Sequence, residues 1–207
     1  MADESSNRRV AVRIGIISDL HGNVAGLASA IERLGPVDEL LCSGDMVEES
    51  RFDNGVIELL RDRGARCVLG NHDLNFLAGY RSRGGRATGA DPELVAWLAE
   101  QPIRLELEVA GRLLLMTHAS PCSPGTQYVY PHSPEVQRLA EVAADFVVLG
   151  HTHTQMARQV GEVLVVNPGS AGLAQDPGNG KRLSYAVLDA SDGSVSFEDY
   201  VVERSAP

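Results

Sequence analysis

Five short apolar runs in this chain each stop at a residue able to bind a metal ion. "RIGIIS" (13–18) leads into Asp19-Leu20-His21, "ELLCSG" (39–44) into Asp45, and "ARCVLG" (65–70) into Asn71-His72-Asp73. "RLLLMT" (112–117) leads into His118, and "DFVVLG" (145–150) into His151-Thr152-His153. Apolar runs this short, bounded by turn residues, fit buried strands. In open α/β sheets the ligand site lies beyond the carboxyl ends of the strands. If these runs share a sheet, or two packed sheets, five of the six histidines in the chain meet at one place.

The segments between them carry a helical period. "VAGLASAIERLG" (24–35) and "GVIELLRDRG" (55–64) predict helices stopped by glycine, and Asn23 is expected to cap the first. "DPELVAWLAEQP" (91–102) predicts a third, with Trp97 in the core. "SPEVQRLAEVA" (133–143) predicts a fourth, with Ser133 as N-cap and Pro134 in its first turn. "IRLELEV" (103–109) is expected to pair with 112–117 through Ala110-Gly111. "EVLVVN" (162–167) reads as a strand, and "LSYAVLD" with "SVSFEDYVV" as a closing hairpin around "ASDG". The first half is thus β-α-β-α-β, with parallel strands and right-handed crossovers, and the second half is strand-rich. With no repeat and no linker, residues 11–207 are expected to form one domain after a frayed polar leader, 1–10. "GYRSRGGRATGAD" (79–91) is expected to be a mobile loop.

Charge and composition narrow the function. The formal net charge is −10, which leaves no electrostatic footprint for duplex nucleic acid and argues against a membrane-surface role. No apolar stretch approaches the ~18 residues of a membrane span. "MADESSNRRV" lacks a signal-peptide core, so the cytoplasm is the expected compartment. Cys42, Cys67 and Cys122 are expected to be small core residues rather than a disulfide framework.

The donors in the motifs are imidazole, carboxylate and amide, without thiolate. Such a set suits Mn, Fe, Zn, Ni or Co ions and argues against structural zinc. Seven candidate ligands are too many for one tetrahedral ion. They are enough for two divalent ions about 3.5–4 Å apart, sharing a carboxylate, the arrangement that clamps a phosphoryl transfer. In extended chain, Asp19 and His21, like His151 and His153, would point the same way. The glycines before Asp45, Asn71 and His151 would let backbone approach closely.

In this order, the motifs resemble the calcineurin-like metallophosphoesterase superfamily. "DLHGN" (19–23) and "NPGS" (167–170) resemble its compact bacterial and archaeal phosphodiesterases. The resemblance implies a four-layer αββα sandwich, two mixed β-sheets flanked by helices. It implies that Asp19, His21 and His153 bind one ion, that Asn71, His118 and His151 bind the other, and that Asp45 bridges them. Manganese is the first choice of metal. A hydroxide between the ions would attack phosphorus in line, and His72 would act as general acid, oriented by Asp73 or Glu48. The expected substrate is a small or nucleotide-like phosphoester, a diester first. The alternatives are a phosphatase, a dinucleoside polyphosphate hydrolase, or a scaffold without catalysis. Intact Asn71-His72-Asp73 favours an enzyme.

This chain departs from the pattern at Glu49, where the protein phosphatases carry a phosphate-clamping arginine. A carboxylate there repels a phosphomonoester dianion more than a diester monoanion. Arg51, Arg81, Arg83 and Arg86 are the substitute clamps to consider. Tyr128, Tyr130 and His132 either cover the pocket or belong to an ordinary surface loop, 123–133. Asn167-Pro168-Gly169-Ser170 either lines the site or makes a tight turn.

Overall fold

A computed structural model describes residues 11–123 and 126–202; the expected leader lies outside them. The first half lays down β1 (Arg13–Ile17), α1 (Val24–Leu34), β2 (Glu39–Cys42), α2 (Asn54–Asp62) and β3 (Arg66–Cys67). Then come α3 (Asn71–Ser82), α4 (Pro92–Ala99), β4 (Arg104–Val109), β5 (Arg112–Thr117) and a 3₁₀ helix (Pro134–Glu141). The chain ends with β6 (Phe146–Val148), β7 (Gln155–Val160), β8 (Val163–Pro168), β9 (Leu183–Asp189) and β10 (Ser194–Tyr200).

The strands form two mixed five-stranded sheets, ordered β10-β9-β1-β2-β3 and β4-β5-β6-β8-β7. In the first, β1, β2 and β3 run parallel and β9 joins β1 antiparallel. In the second, β5, β6 and β8 run parallel between antiparallel β4 and β7. Strand alternation divides the core. Ile14 and Ile16 of β1 meet Leu114, Met116, Phe146 and Val148 between the sheets, whereas Ile17 turns to the helices. All four α-helices bury their apolar residues on the outer face of the first sheet. The outer face of the second is covered by the 3₁₀ helix, through Val136 and Leu139. The αββα sandwich therefore has unequal outer layers.

Asn23 caps α1, its side chain accepting from the Gly26 N–H at 2.9 Å. Cys42 and Cys67 are buried free thiols, Cys122 a partly exposed one. Three expectations change. The helix expected at 133–143 is a 3₁₀ helix, and Ser133 makes no side-chain cap bond. Its buried residues stand three apart, Val136 and Leu139, the spacing that aligns in a 3₁₀ turn. Helix α3 and strand β7 were not anticipated. Only Asp73, Phe76 and Leu77 of α3 are buried, too few to write a 3.6-residue period into the sequence. The last turn of α3 also takes up the start of the loop expected at 79–91.

Phe146 is fully buried between the sheets, with the Arg112 guanidinium 4.1 Å above its ring. Phe146→Ala should lower the unfolding free energy by about 3–5 kcal/mol, read as a shifted urea midpoint in circular dichroism.

Candidate metal centre

The five expected strand ends do converge, and backbone hydrogen bonds between the loops draw them in. Asp19 N–H donates to Gly44 O at 2.9 Å and His21 N–H to Asp45 O at 3.0 Å, joining the loops after β1 and β2. Gly150 N–H donates to His118 O at 2.9 Å, joining those after β5 and β6. Two side chains cross between the sheets. Ser43 Oγ donates to Leu149 O at 3.1 Å, and the Asp19 carboxylate accepts the His151 N–H at 3.1 and 3.2 Å.

The local backbone differs from the extended chain expected. Asp19, His21, Asp45, His151 and His153 all have positive φ, between 47° and 68°. They are five of the seven non-glycine residues that do so among those described. Such conformations are sparsely populated and gather at functional sites. Tight turns aim both members of each pair inward, Asp19 and His21 to one group of donors, His151 and His153 to two adjacent ones. Close approach also demands glycine. A Cβ at Gly70 would lie 2.2 Å from Asp45 Oδ1, and one at Gly150 would lie 2.1 Å from Ser18 Oγ.

The seven expected donors fall into two groups. In the first, His153 Nε2 is 3.2 Å from Asp19 Oδ1 and 3.2 Å from His21 Nε2. In the second, His118 Nε2 is 3.2 Å from Asp45 Oδ2 and 3.1 Å from Asn71 Oδ1, with His151 beside them. Asp45 links the groups, its Oδ2 also 4.0 Å from His21 Nε2. Its Oδ1 accepts the His72 N–H at 2.8 Å, at the start of α3.

These residues fit a divalent cation on their donor chemistry. A metal-binding histidine commonly donates its second ring N–H to a carbonyl or carboxylate, which fixes the tautomer. His118 Nδ1 meets Ser43 O at 2.7 Å, His153 Nδ1 meets Leu173 O at 3.2 Å, and His151 Nε2 meets Thr126 O at 3.2 Å. The opposite nitrogens of His118 and His153 turn to the carboxylates. Nitrogens of His21 and His153 facing each other at 3.2 Å need a proton or a cation between them.

Electrostatics agree. Burial disfavours charge on Asp45, yet the hydrogen bond and charge of His118 outweigh it and lower the carboxyl pKa. Burial also opposes the His118 imidazolium, but Asp45 and Asp19 outweigh it and push the pKa up to about 9. Burial lowers His21 and, with the charge of His118, lowers His151, favouring the neutral ligand form. His153 is raised: burial opposes protonation, and Asp19 prevails.

The expected orienting carboxylates separate. Glu48 Oε2 is 3.3 Å from His72 Nδ1, and its Oε1 is 3.3 Å from His21 Nδ1, ion-pair distances without hydrogen-bond alignment. Asp73 turns away to the backbone, accepting from Val47 N–H at 3.0 Å and Gly70 N–H at 2.9 Å. It caps α3, and burial and then the charge of Asp45 push its pKa up to about 7. The orienting role expected of Asp73 does not fit this geometry, because both its oxygens are taken by the backbone.

The arginines sort likewise. Helix α3 starts at the centre and carries Arg81 away along its length, roughly 15 Å, with Arg83 and Arg86 beyond. Arg51 alone of the four reaches back, its Nη2 3.2 Å from where a Gly22 Cβ would stand. Glu49 accepts from Asn75 Nδ2 of α3 at 3.3 Å. Asn167 and Ser170 support the centre from behind. Asn167 Nδ2 donates to Gly150 O at 2.7 Å, and Ser170 Oγ to Asp19 O at 2.8 Å. Sequence spacing had no means of finding Ser43, whose carbonyl and hydroxyl serve two different loops.

A cation that takes the His118 nitrogen must displace its proton, so metal affinity should rise with pH. Below about pH 9 one proton leaves per ion, and affinity should climb about tenfold per pH unit, then level off. Calorimetric titration with Mn²⁺ in buffers of different ionisation enthalpy measures that proton.

The model of the calcineurin-like phosphoesterase superfamily domain matches residues 12–193. An uncharacterized protein of Methanocaldococcus jannaschii is 26% identical, over 89% of this chain and 85% of its own. A symmetrical bis(5'-nucleosyl)-tetraphosphatase of Erwinia tasmaniensis is 34% identical over 50% of this chain, and the match spans only 43% of that enzyme. Among solved structures, a metallophosphoesterase from Sphaerobacter thermophilus superposes with a TM-score of 0.72 at 23% identity, over 94% of this chain and 90% of that one. At that identity the superposition speaks for the fold alone. The match across most of the sequence shows that this chain belongs to the calcineurin-like phosphoesterase superfamily.

Proposed function

We propose that the protein is a two-metal phosphodiesterase acting on small or nucleotide-like substrates. Asp19, His21 and His153 would hold one ion, Asn71, His118 and His151 the other, and Asp45 both. The observation that carries this reading is the Asp45 carboxylate, whose Oδ2 lies 3.2 Å from an imidazole nitrogen of one group and 4.0 Å from one of the other. When bound, two divalent ions supply charge neutralisation at the phosphoryl oxygens and an activated water at neutral pH.

The chain's own residues do the rest. His72, His21, Glu48, His151 and His153 line one open cavity of about 400 Å³. Glu48 faces the His72 ring at Nδ1, 3.3 Å away, which leaves Nε2 for the substrate. As the water oxygen bonds to phosphorus and the bond to the departing oxygen breaks, His72 gives that oxygen a proton. Glu48 puts negative charge on the cavity wall, which favours a diester monoanion over a monoester dianion. A second reading, hydrolysis of dinucleoside polyphosphates, draws support from the likeness to the tetraphosphatase. A scaffold role is disfavoured by the intact Asn71-His72 pair with Glu48 behind it.

Protein reconstituted with Mn²⁺ should hydrolyse diesters faster than the corresponding monoesters, and Asp45→Asn, run alongside, should abolish turnover. Activity that survives Asp45→Asn would belong to a contaminant or another site. His72→Asn should slow alkyl diesters about 10²–10⁴-fold, with metal content unchanged. It should slow p-nitrophenyl esters far less, since that leaving group departs without a proton. Equal slowing of both would remove His72 from the acid role.

A further inference from the structure

Two tyrosines in the cavity have no part in this chemistry. Tyr128 and Tyr130 are 50% and 45% exposed, yet both line the cavity that holds His72 and His153. Tyr128 lies flat on His151, with centroids 3.8 Å apart and planes 18° from parallel. Tyr130 continues the column, 5.9 Å from Tyr128 and within 9° of parallel. One face of Tyr128 is thus taken by His151. That contact seats the pair against a residue of the candidate metal centre.

The column is built on His151, of the second donor group, and the candidate acid packs on His21, of the first. His72 packs edge-on against His21, 4.8 Å between centroids. Tyr128 packs on His151, which in turn packs edge-on against His118 at 4.9 Å. If His72 protonates the departing oxygen, the departing alcohol occupies the His21 end. The substituent that stays on phosphorus is left with the His151 end.

We propose that Tyr130, backed by Tyr128, is a stacking platform for a planar aromatic group, a nucleobase first, on the half of the diester retained in the product. The proposal rests on the phosphodiesterase reading above. The tyrosines are 5.9 Å apart, and a base between them would need about 6.8 Å, twice the ~3.4 Å spacing of stacked bases. The base therefore stacks on the outside of the column, where Tyr130 is open. Stacking uses the ring face that all bases share, so the platform distinguishes aromatic from aliphatic substituents but hardly one base from another.

Two p-nitrophenyl diesters test this with the leaving group held constant: the 5′-ester of thymidine and the methyl ester. With Mn²⁺-loaded protein, Tyr130→Ala should raise KM for the thymidine ester about tenfold more than for the methyl ester, and Tyr130→Phe should restore it. Equal changes for the two esters would overturn the platform. Calorimetry on the same proteins compares thymidine 5′-monophosphate with inorganic phosphate. Tyr130→Ala should weaken the nucleotide about tenfold more than the phosphate. If the wild type cleaves neither ester but keeps a Tyr130-dependent preference for the nucleotide, the phosphodiesterase reading falls and the platform stands. If nucleotide and phosphate weaken alike, the platform falls whatever the esters do.

Discussion

Two carboxylates that face the candidate centre are removed from water, and the rest of the site is arranged around that fact. Asp19 is 0% exposed and Asp45 1%. A buried carboxylate persists only where hydrogen bonds and positive charge replace its lost hydration. The partners come from elsewhere in the chain. Asp19 takes the His151 N–H and faces His153, both from the second sheet. Asp45 takes the His72 N–H at the start of α3 and faces His118 beyond β5. Satisfying two side chains thus requires loops from both sheets to meet, and the candidate cation site and the seam between the sheets are the same place.

The meeting is bought with backbone strain. Positive φ at an L-residue is uncommon, and here it falls on five of the residues that face the centre. Such conformations persist when their surroundings over-determine them. Asn167, Ser170 and Ser43 supply that constraint by hydrogen-bonding the carbonyls of Gly150, Asp19 and Leu149. The strain has a consequence for chemistry: a loop already bent to its final shape needs little rearrangement when an ion arrives. Glycine at 70 and 150 is part of the same design, because Asp45 and Ser18 stand where a side chain would go.

The cavity above the centre is asymmetric. On one side the Glu48 carboxylate faces both His72 and His21, the candidate acid and a candidate ligand, at 3.3 Å each. On the other Tyr128 lies on His151, carrying aromatic surface outward from the opposite group of donors. Under the proposed function, these unlike walls would tell the two arms of a substrate apart, the acidic wall through proton delivery and the aromatic wall through recognition.

Much of this was legible in the sequence. Apolar runs marked the parallel strands, and the polar residues after them, from Asp19 to His153, marked where their ends would lie. Both signals are local, since a strand buried on two faces must be apolar along its length and a ligand must follow where it stops. The sequence did not reveal α3, whose polar first turn hides its period, nor the 3₁₀ form of 134–141. It could not choose between Asp73, next to His72 in the chain, and Glu48, in the separate motif after β2, because adjacency does not say which carboxylate faces the ring. Tertiary structure chose, because both oxygens of Asp73 are bound to the backbone of Gly70 and Val47 while Glu48 remains free to face the ring. Nor could it place the arginines of 81–86 at the far end of a helix or lay Tyr128 on His151. Strand patterns and ligand types are written residue by residue; which side chain faces which is set only when two sheets pack and their loops compete for the same buried donors.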